Sequence, residues 1–446
     1  MKANDALFSI IDRYLIGEPG TTAEYRGLQI TSAFQPIFSV AHRRSVGVEG
    51  LLRATTTGGE AVPPSAIFSL MQSDEELVGI DRLSRALHVN NFAQLGLDDV
   101  WLFLNVSPNV VINGPKYGSF FGLLLEHYGV PPRQVVIEIL EQRIDDASLL
   151  RQAVSYYRDL GCLIAIDDFG AGHSNFERLW RLEPDIVKLD RDLIVEAEVN
   201  GRARRILPRL VSLIHEVGAL VLMEGVETEQ QALTALASDV DLLQGFYFAR
   251  PVSKEQLAGQ TEGTSELCDI LHPRLEQETQ HDSCDVDSNL ITAFRKAASG
   301  ISKGMAFKET VPNLFVVSPT AIRCYLLDNH GNQTEDNITA PDFQTDSDKR
   351  YLPLASPIGA NWYRRPYFQA AVREPGRVRV SRPYLSLTDH KMCITLSIAL
   401  RSIDGELKVL CVDILKEEAI PSDAPPHVPD VKLIPFSTTA KGYPRN

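Results

Sequence analysis

The sequence predicts an α/β protein with a mostly parallel sheet, either doubly wound or closed as a barrel, followed by a smaller α+β domain. Short apolar runs recur between residues 28 and 250 at spacings too wide for hairpins. Helix-period segments separate them, such as 149–160 and 206–217, and Gly161 and Gly218 follow these two at the position of a helix C-cap. Buried strands that alternate with helices are typical of a mostly parallel sheet.

An acidic stretch divides the chain. Residues 262–289 contain eight acidic side chains and a single arginine, which is typical of a solvated linker. We therefore predict an α/β domain over 1–258, a partly helical acidic linker over 259–289, a second domain over 290–420 and a proline-rich tail over 421–446. The first domain has a usual length for an α/β barrel, and the second suits one compact domain.

Composition and charge exclude several classes of protein. The 446 residues are 44% hydrophobic, which excludes general disorder, and 44 basic against 58 acidic side chains give a net charge of −14. Such an acidic chain lacks the footprint of a DNA, RNA or anionic-membrane binder. Six cysteines without a C-x-x-C pair predict no disulfide scaffold, and no apolar run is long enough to span a membrane. We expect a cytoplasmic protein.

Seven apolar runs are predicted as strands, and each is followed by a polar side chain. In chain order the runs are 46–48, 101–104, 135–137, 163–166, 186–187, 220–223 and 242–243. The side chains that follow them are Glu49, Asn105, Glu138, Asp167 with Asp168, Lys188, Glu224 and Gln244. In a barrel the carboxyl ends of the strands meet on one face. A polar residue at one loop entry is commonplace, but seven in series predict a site.

The chemistry of these side chains indicates divalent cations. Five carboxylates cannot converge without compensation, because like charges raise one another's pKa. The set contains no histidine or cysteine, so Mg²⁺ or Mn²⁺ is expected rather than zinc. The paired Asp167 and Asp168 could bridge two metals, which suits in-line displacement at a phosphodiester. Lys188 would then hold or polarise the attacking water; its alternative role is a structural salt bridge.

Eight motifs resemble those of the EAL family of cyclic di-GMP phosphodiesterases, over roughly residues 25–255. The family's name motif corresponds to Glu49-Gly50-Leu51-Leu52-Arg53, with glycine in place of the usual alanine. In chain order the other matching segments are 34–37, 105–108, 137–141, 166–172, 185–190, 224–228 and 244–246. The order and spacing of the motifs together are far more specific than any one of them.

The resemblance implies a modified TIM-like (β/α)8 barrel that hydrolyses cyclic di-GMP to linear 5′-pGpG. It implies one metal held by Glu49, Asn105, Glu138 and Asp167, and a second held by Asp167, Asp168 and Glu224. Lys188 would contact the nucleophilic water, so Lys188, Glu224 and Asp168 are the expected catalytic residues. The positions expected to line the dinucleotide are Gln35, Leu52, Arg53, Gln244 and Pro251.

Three further expectations accompany this resemblance. Glu227 matches a carboxylate just outside the metal ligands, and Glu141 matches a glutamate that braces the loop after the paired aspartates. The loop after the paired aspartates helps to build the family's dimer contact, so a homodimer is expected. A receptor that binds cyclic di-GMP without hydrolysing it is the alternative function.

The second domain is predicted to be mainly β-structure after a first helix at 290–301. Alternating residues at 391–400, a turn at 402–405 and a second run at 407–414 predict a hairpin. The pattern of aromatic residues before it resembles Cache or PAS-like sensor domains. A pocket for a small cytosolic ligand would be lined by Trp362, Tyr363, Arg364, Tyr384 and Asp389. The alternative is that these aromatics are ordinary core and the arginines lie on the surface.

Overall fold

The computed structural model describes residues 15–16, 21–107, 120–140, 147–171, 176–258, 287–343, 349–354, 357–387 and 391–415. The predicted tail and nearly all of the predicted acidic linker lie outside these residues. Glu141 and Asp389 lie outside them as well.

Eight strands close into a barrel, which confirms the predicted α/β fold and excludes the doubly wound alternative. In chain order they are β3 (Leu28–Ser39), β4 (Arg44–Thr56), β6 (Trp101–Val106), β7 (Val135–Leu140), β8 (Leu163–Phe169), β9 (Ile186–Leu189), β10 (Leu220–Met223) and β11 (Leu242–Leu243). Around the barrel the order is β3-β11-β10-β9-β8-β7-β6-β4, and β4 pairs with β3 to close it. β3 is antiparallel to both neighbours, whereas the other pairs are parallel.

Helices and short strands complete this part of the chain. The helices are α1 (Pro64–Ser69), α2 (Asp74–Ala93), α3 (Phe120–Tyr128), α4 (Ala147–Leu160), α5 (Phe176–Leu182), α6 (Arg191–Val199), α7 (Gly201–Glu216), α8 (Glu229–Ala237) and α9 (Lys254–Ala258). The strands β1 (Leu15–Ile16), β2 (Thr22–Tyr25) and β5 (Ala61–Val62) extend the sheet beside β3 and β4. Gly161 and Gly218 follow α4 and α7 with φ of +96° and +87°, as predicted for C-caps.

Strand alternation separates two apolar layers in the barrel. On β6, Leu102 and Leu104 belong to the layer that packs against the surrounding helices, while Trp101 and Phe103 belong to the layer inside the barrel. Gly47 permits this filling, because a Cβ at that position would lie 2.7 Å from the Phe103 ring. The interior is thus a packed core that leaves only the strand ends for chemistry.

Residues 287–415, hereafter the C-terminal region, form a second, antiparallel sheet. Its strands are β12 (Ala321–Leu327), β13 (Ile338–Thr339), β14 (Arg379–Val380), β15 (Tyr384–Leu385), β16 (Met392–Arg401) and β17 (Leu407–Leu415). The order is β13-β12-β17-β16-β14, with β15 also paired to β16, and β16–β17 is the predicted hairpin. Its helices are α10 (Ser288–Ser302), α11 (Phe307–Thr310), α12 (Pro312–Val317) and α13 (Pro366–Arg373), and a 3₁₀ segment spans Lys349–Leu354.

The two faces of this sheet bury different layers. One face packs against α10 to α12, which contribute Phe294 and Leu314. The other face packs against Tyr351 of the 3₁₀ segment and Phe368 of α13, and this layer belongs to the same continuous apolar cluster as Trp101 and the barrel interior. The C-terminal region therefore lies against the amino ends of the barrel strands, opposite to the ends that carry the predicted site. No helix among the described residues is long and apolar enough to cross a membrane.

Candidate active site

The carboxyl ends of the barrel strands bring the predicted polar side chains together. We call Glu49, Asn105, Glu138, Asp167, Asp168, Lys188, Glu224 and Gln244 the strand-end cluster. Asn105 Nδ2 donates a hydrogen bond to Glu49 Oε1 at 2.9 Å, and Gln244 Nε2 donates to Glu49 Oε2 at 2.8 Å. The carboxylate of Glu49 is thus held at both oxygens by amides from the ends of β6 and β11, the strands that flank the β3–β4 pair.

Lys188 lies at the centre of the cluster and is only 1% exposed. Its Nζ is 2.5 Å from Glu138 Oε1, 2.9 Å from Asp167 Oδ1 and 2.7 Å from Glu224 Oε1. These three carboxylates come from β7, β8 and the end of β10. The side chain of one lysine therefore links three strands that are far apart in sequence.

A bulge in β8 aims two consecutive carboxylates at one place. In a regular strand, neighbours point to opposite faces. The pairing of β8 with β9 shifts register between Ile166 and Phe169, and Asp168 has φ of +55° in the left-handed region. Asp167, Asp168 and Glu224 consequently offer oxygen atoms that all lie within 4.8 Å of one another. Such strained backbone is common where side chains must be placed for function.

Burial makes the cluster electrostatically demanding. Burial raises the pKa of Glu138 well above its usual value, and it raises the pKa of Glu224 to about 8. Burial lowers the pKa of Lys188, but the carboxylates of Asp167, Glu138 and Glu224 outweigh it, so this pKa is well above its ordinary value. The ammonium of Lys188 is therefore a fixed positive charge at neutral pH.

The donor set fits divalent cations. Glu138 Oε1 and Asp167 Oδ1 face the Lys188 ammonium, whereas Oε2 of the fully buried Glu138 has no hydrogen-bond partner among the described residues. If all five carboxyl groups were ionised, as cation binding would favour, they and the one ammonium would carry 1 − 5 = −4, which two divalent ions would balance. A buried acceptor without a donor and an excess of oxygen ligands over cationic side chains are what a hard cation requires.

Gln35 and Pro251 lie at the edge of the cluster. Gln35 stands opposite Glu49 in the β3–β4 register, and its Nε2 donates to the Ala249 carbonyl at 3.2 Å. Pro251 precedes Val252, whose backbone exchanges two hydrogen bonds with Phe34. Gln35 and Pro251 therefore both lie beside the part of the site that β3 forms.

The two leucines of the name motif point in opposite directions. Leu52, predicted to line the dinucleotide, is 6% exposed and packs in an apolar cluster with Ile30 and Leu83. Leu51 shares the strand face of Glu49 and Arg53 and is partly exposed. Leu51 is therefore the leucine presented on the site's face, a placement that strand alternation counted from Glu49 would have indicated.

Gly50 owes its identity to a buried histidine. A Cβ on Gly50 would lie 3.0 Å from Cγ of His88, whose ring bonds Ser32 Oγ at 2.8 Å and Ser84 Oγ at 3.0 Å. Burial lowers the pKa of His88 to about 3, so the ring is neutral. To admit a methyl group the imidazole behind the strand would have to yield by a few tenths of an ångström, and its two serine contacts oppose that shift.

Glu227 does not join the strand-end cluster. It makes a two-pronged ion pair with Arg191, with both N–O distances at 3.0 Å. Arg191 in turn packs over Gly225, where a Cβ would lie 2.5 Å from the arginine side chain. This pair braces the backbone immediately after Glu224, and sequence reasoning did not identify its arginine.

The C-terminal region contains a small cleft of about 20 Å³, which has room for about one water molecule. Trp362 and Tyr384, both predicted to line a ligand pocket, line this cleft, whereas Tyr363 and Arg364 are not among its lining residues. Charged residues that sequence reasoning missed, Arg323, Arg365 and Asp413, also line it.

Comparisons with known proteins bear mainly on the barrel part of the chain. The family model for the EAL domain matches residues 24–251. The "Cyclic di-GMP phosphodiesterase RocR" of Pseudomonas aeruginosa is 28% identical over 257 residues, which cover 55% of this chain and 64% of that protein. The "Uncharacterized EAL-domain containing protein YkuI" of Bacillus subtilis is 25% identical over 347 residues, covering 75% of this chain and 82% of the relative.

Other similarities cover smaller shares. The chain spans 42% of the length of the "Probable cyclic di-GMP phosphodiesterase PdeB" of Escherichia coli, with 27% identity over 230 residues. Among solved structures, the "Klebsiella pneumoniae BlrP1 pH 9.0 manganese/cy-diGMP complex" is 29% identical with a TM-score of 0.46, covering 50% of this chain and 56% of that one. The similarity to most of these proteins is thus confined to one part of each.

Proposed function

The chain belongs to the EAL domain family, and from that premise we propose that it is a metal-dependent phosphodiesterase that hydrolyses cyclic di-GMP to linear 5′-pGpG. The observation that carries the proposal is the contact of buried Lys188 with three carboxylates from three strands. A buried lysine among acidic oxygens suits a site that must hold cations and a water molecule together. The relatives named as cyclic di-GMP phosphodiesterases support the choice of substrate.

We assign the residues of the strand-end cluster to two Mg²⁺ or Mn²⁺ positions. Glu49, Asn105, Glu138 and Asp167 would hold one ion, and Asp167, Asp168 and Glu224 would hold the other. Bound there, the ions would supply Lewis-acid stabilisation of the phosphoryl oxygens and a more acidic water. Gln244 and Asn105 orient the carboxylate of Glu49 for this purpose through their hydrogen bonds to it.

The chain's own side chains would do the remaining work. Once its carboxylate partners bind cations, the Lys188 ammonium would have an N–H free to donate to the attacking water and hold it in line with the scissile phosphodiester. Arg53, on the same strand face as Glu49, would bind a phosphate through its forked N–H groups. Gln35, Leu51, Gln244 and Pro251 would line the guanine-nucleotide groove, with Leu51 in place of Leu52.

We extend the proposal to the C-terminal region and to assembly. The C-terminal region would act as a Cache- or PAS-like sensor for a small cytosolic ligand, with the cleft that Trp362 and Tyr384 line as the candidate site. A cytoplasmic homodimer would form around α5 and α6, where Trp180 and Val199 are 57% and 80% exposed. Sedimentation of the full chain against Trp180→Glu would test the dimer, since a buried carboxylate there should dissociate it.

Turnover of cyclic di-GMP by the purified full chain tests the reaction. We expect 5′-pGpG with Mg²⁺ or Mn²⁺ and none with a chelator. Glu49→Ala should lower kcat more than about a hundredfold, beyond the loss typical of residues that only support ligands. The matched control is Glu60→Ala, at an exposed loop carboxylate. Binding of cyclic di-GMP without product would instead favour the non-hydrolysing receptor.

A further inference from the structure

Two buried aspartates begin two of the barrel strands with the same pattern of hydrogen bonds. The amide of Asp185 donates to the Ile164 carbonyl at 2.9 Å, and Asp185 Oδ2 accepts from the Ile164 amide at 2.8 Å. The amide of Asp241 donates to the Val221 carbonyl at 3.0 Å, and Asp241 Oδ2 accepts from the Val221 amide at 2.9 Å. Each carboxylate therefore locks the start of its strand to the preceding strand.

The other carboxylate oxygen of each aspartate accepts a hydrogen bond from the C-terminal region. Tyr351 Oη donates to Asp185 Oδ1 at 2.9 Å, and Arg365 Nη2 donates to Asp241 Oδ1 at 2.9 Å. Tyr351 is 2% exposed and Arg365 is 8% exposed. Losing a hydrogen bond to a buried carboxylate lowers stability, because water cannot reach the carboxylate to replace the lost donor.

Each aspartate also lies three residues before a member of the strand-end cluster. Asp185 precedes Lys188, and Asp241 precedes Gln244. Three residues of extended strand span only about 10 Å. The carbonyl of Asp185 also accepts from the next strand's Leu220 at 3.0 Å, so the segment is bonded on both sides. If the aspartate moved along the strand axis, the site side chain three residues later would therefore move by nearly the same distance.

We propose that Tyr351 and Arg365 are positioning residues of the active site, which set the axial position of β9 and β11 through Asp185 and Asp241. Tyr351 thereby places the Lys188 ammonium among its three carboxylates, and Arg365 places the Gln244 amide against Glu49. The catalytic meaning of this placement rests on the proposed phosphodiesterase function. Contacts at the amino ends of barrel strands ordinarily contribute only stability. Here the same hydrogen bonds occur at the starts of β9 and β11, and in both cases a site residue follows the aspartate three positions later.

The sharpest variant is Tyr351→Phe, which removes one hydroxyl and keeps the ring against Trp101, 6.1 Å away between centroids. Its matched control is Tyr325→Phe, because Tyr325 Oη also donates to a buried carboxylate, Asp413, at 3.2 Å within the C-terminal region. Both variants should lower Tm by similar amounts. Only Tyr351→Phe should lower kcat for cyclic di-GMP, by about tenfold with KM within about twofold, as expected for a small misplacement of a catalytic group.

A second measurement does not depend on turnover. The ¹⁵N–¹H signal of the buried Lys188 ammonium, assigned by its loss in Lys188→Met, should be displaced in Tyr351→Phe and unchanged in Tyr325→Phe. Arg365→Lys should retain more of kcat than Arg365→Met, because the lysine keeps a donor and charge for Asp241. If the wild-type chain makes no product, the proposed function fails, and the ammonium signal still decides the positioning role. Equal kcat and an unmoved signal in both tyrosine variants would overturn the proposal.

Discussion

Gly50 and His88 show how one residue behind a strand restricts the sequence of a motif in front of it. Ser32 and Ser84 hold the two nitrogens of the His88 ring and oppose its movement away from the strand. The space that an alanine methyl would need is therefore occupied by imidazole carbon atoms. The pairing of small residue and buried ring is a property of this chain, and neither residue alone would reveal it.

We expect Gly50→Ala to lower the free energy of unfolding by about 1–2 kcal/mol, because the methyl group overpacks a ring whose movement two serine contacts oppose. The control is Gly79→Ala in the middle of α2, where a Cβ has nothing within 4 Å. That variant should raise the free energy of unfolding by about 0.5–1 kcal/mol through helix propensity. Urea unfolding of both variants at neutral pH checks this; a Gly50→Ala protein as stable as wild type would contradict it.

On the scale of elements, the side to which a strand residue points decides its role. Leu51 and Leu52 are adjacent and chemically identical, yet β4 places them on opposite faces. Leu52 packs under the sheet with Ile30 and Leu83, and Leu51 shares the face of Glu49.

Leucine-to-alanine variants of this pair should therefore separate binding from stability. Leu52→Ala should lower the free energy of unfolding by about 2–3 kcal/mol, as for a buried core leucine, with KM nearly unchanged. Leu51→Ala should raise KM for cyclic di-GMP several-fold and cost little stability. Unfolding curves and steady-state kinetics of the two proteins give the comparison. A larger KM effect from Leu52→Ala would return the dinucleotide contact to that residue.

Sequence reasoning captured the strands through their apolar runs and the strand-end cluster through the polar residue that ends each run. The local pattern was sufficient there because the carboxyl ends of parallel barrel strands meet on one face, so residues that follow successive strands lie close together. It could not identify the bulge that turns Asp168, which depends on pairing with β9, nor the Arg191–Glu227 pair. The contact of Tyr351 with Asp185 joins residues 166 positions apart, and no local signal encodes it.

On the scale of the whole molecule, the apolar interior of the barrel continues into the C-terminal region. Trp101 at the amino end of β6 packs its ring edge against Tyr351, and its Nε1 donates to the Arg350 carbonyl at 2.6 Å. The same buried cluster includes Ile186 and Phe368. Removing the C-terminal region would expose apolar side chains that the barrel cannot cover with its own residues.

We therefore expect a chain shortened to residues 1–258 to lose stability, with Tm at least about 10 °C below that of the full chain. The physical reason is the free-energy cost of exposing this apolar cluster to water. A domain of this size loses a few degrees of Tm for each kcal/mol of lost stability. Differential scanning calorimetry of the two proteins is the measurement. A shortened chain that unfolds within about 3 °C of the full one would show that the barrel closes its own interior.

The shared interior also limits how this barrel can be recombined with other domains. A fusion that joined residues 21–258 to an unrelated partner would inherit Asp185 and Asp241 with their second oxygens facing outward and without Tyr351 and Arg365. Such a chimera would need a new donor for each aspartate and a new apolar surface below Trp101. Exchanging the C-terminal region therefore requires redesign of the amino ends of the barrel strands. A change in the connecting segment alone would not make the two parts interchangeable.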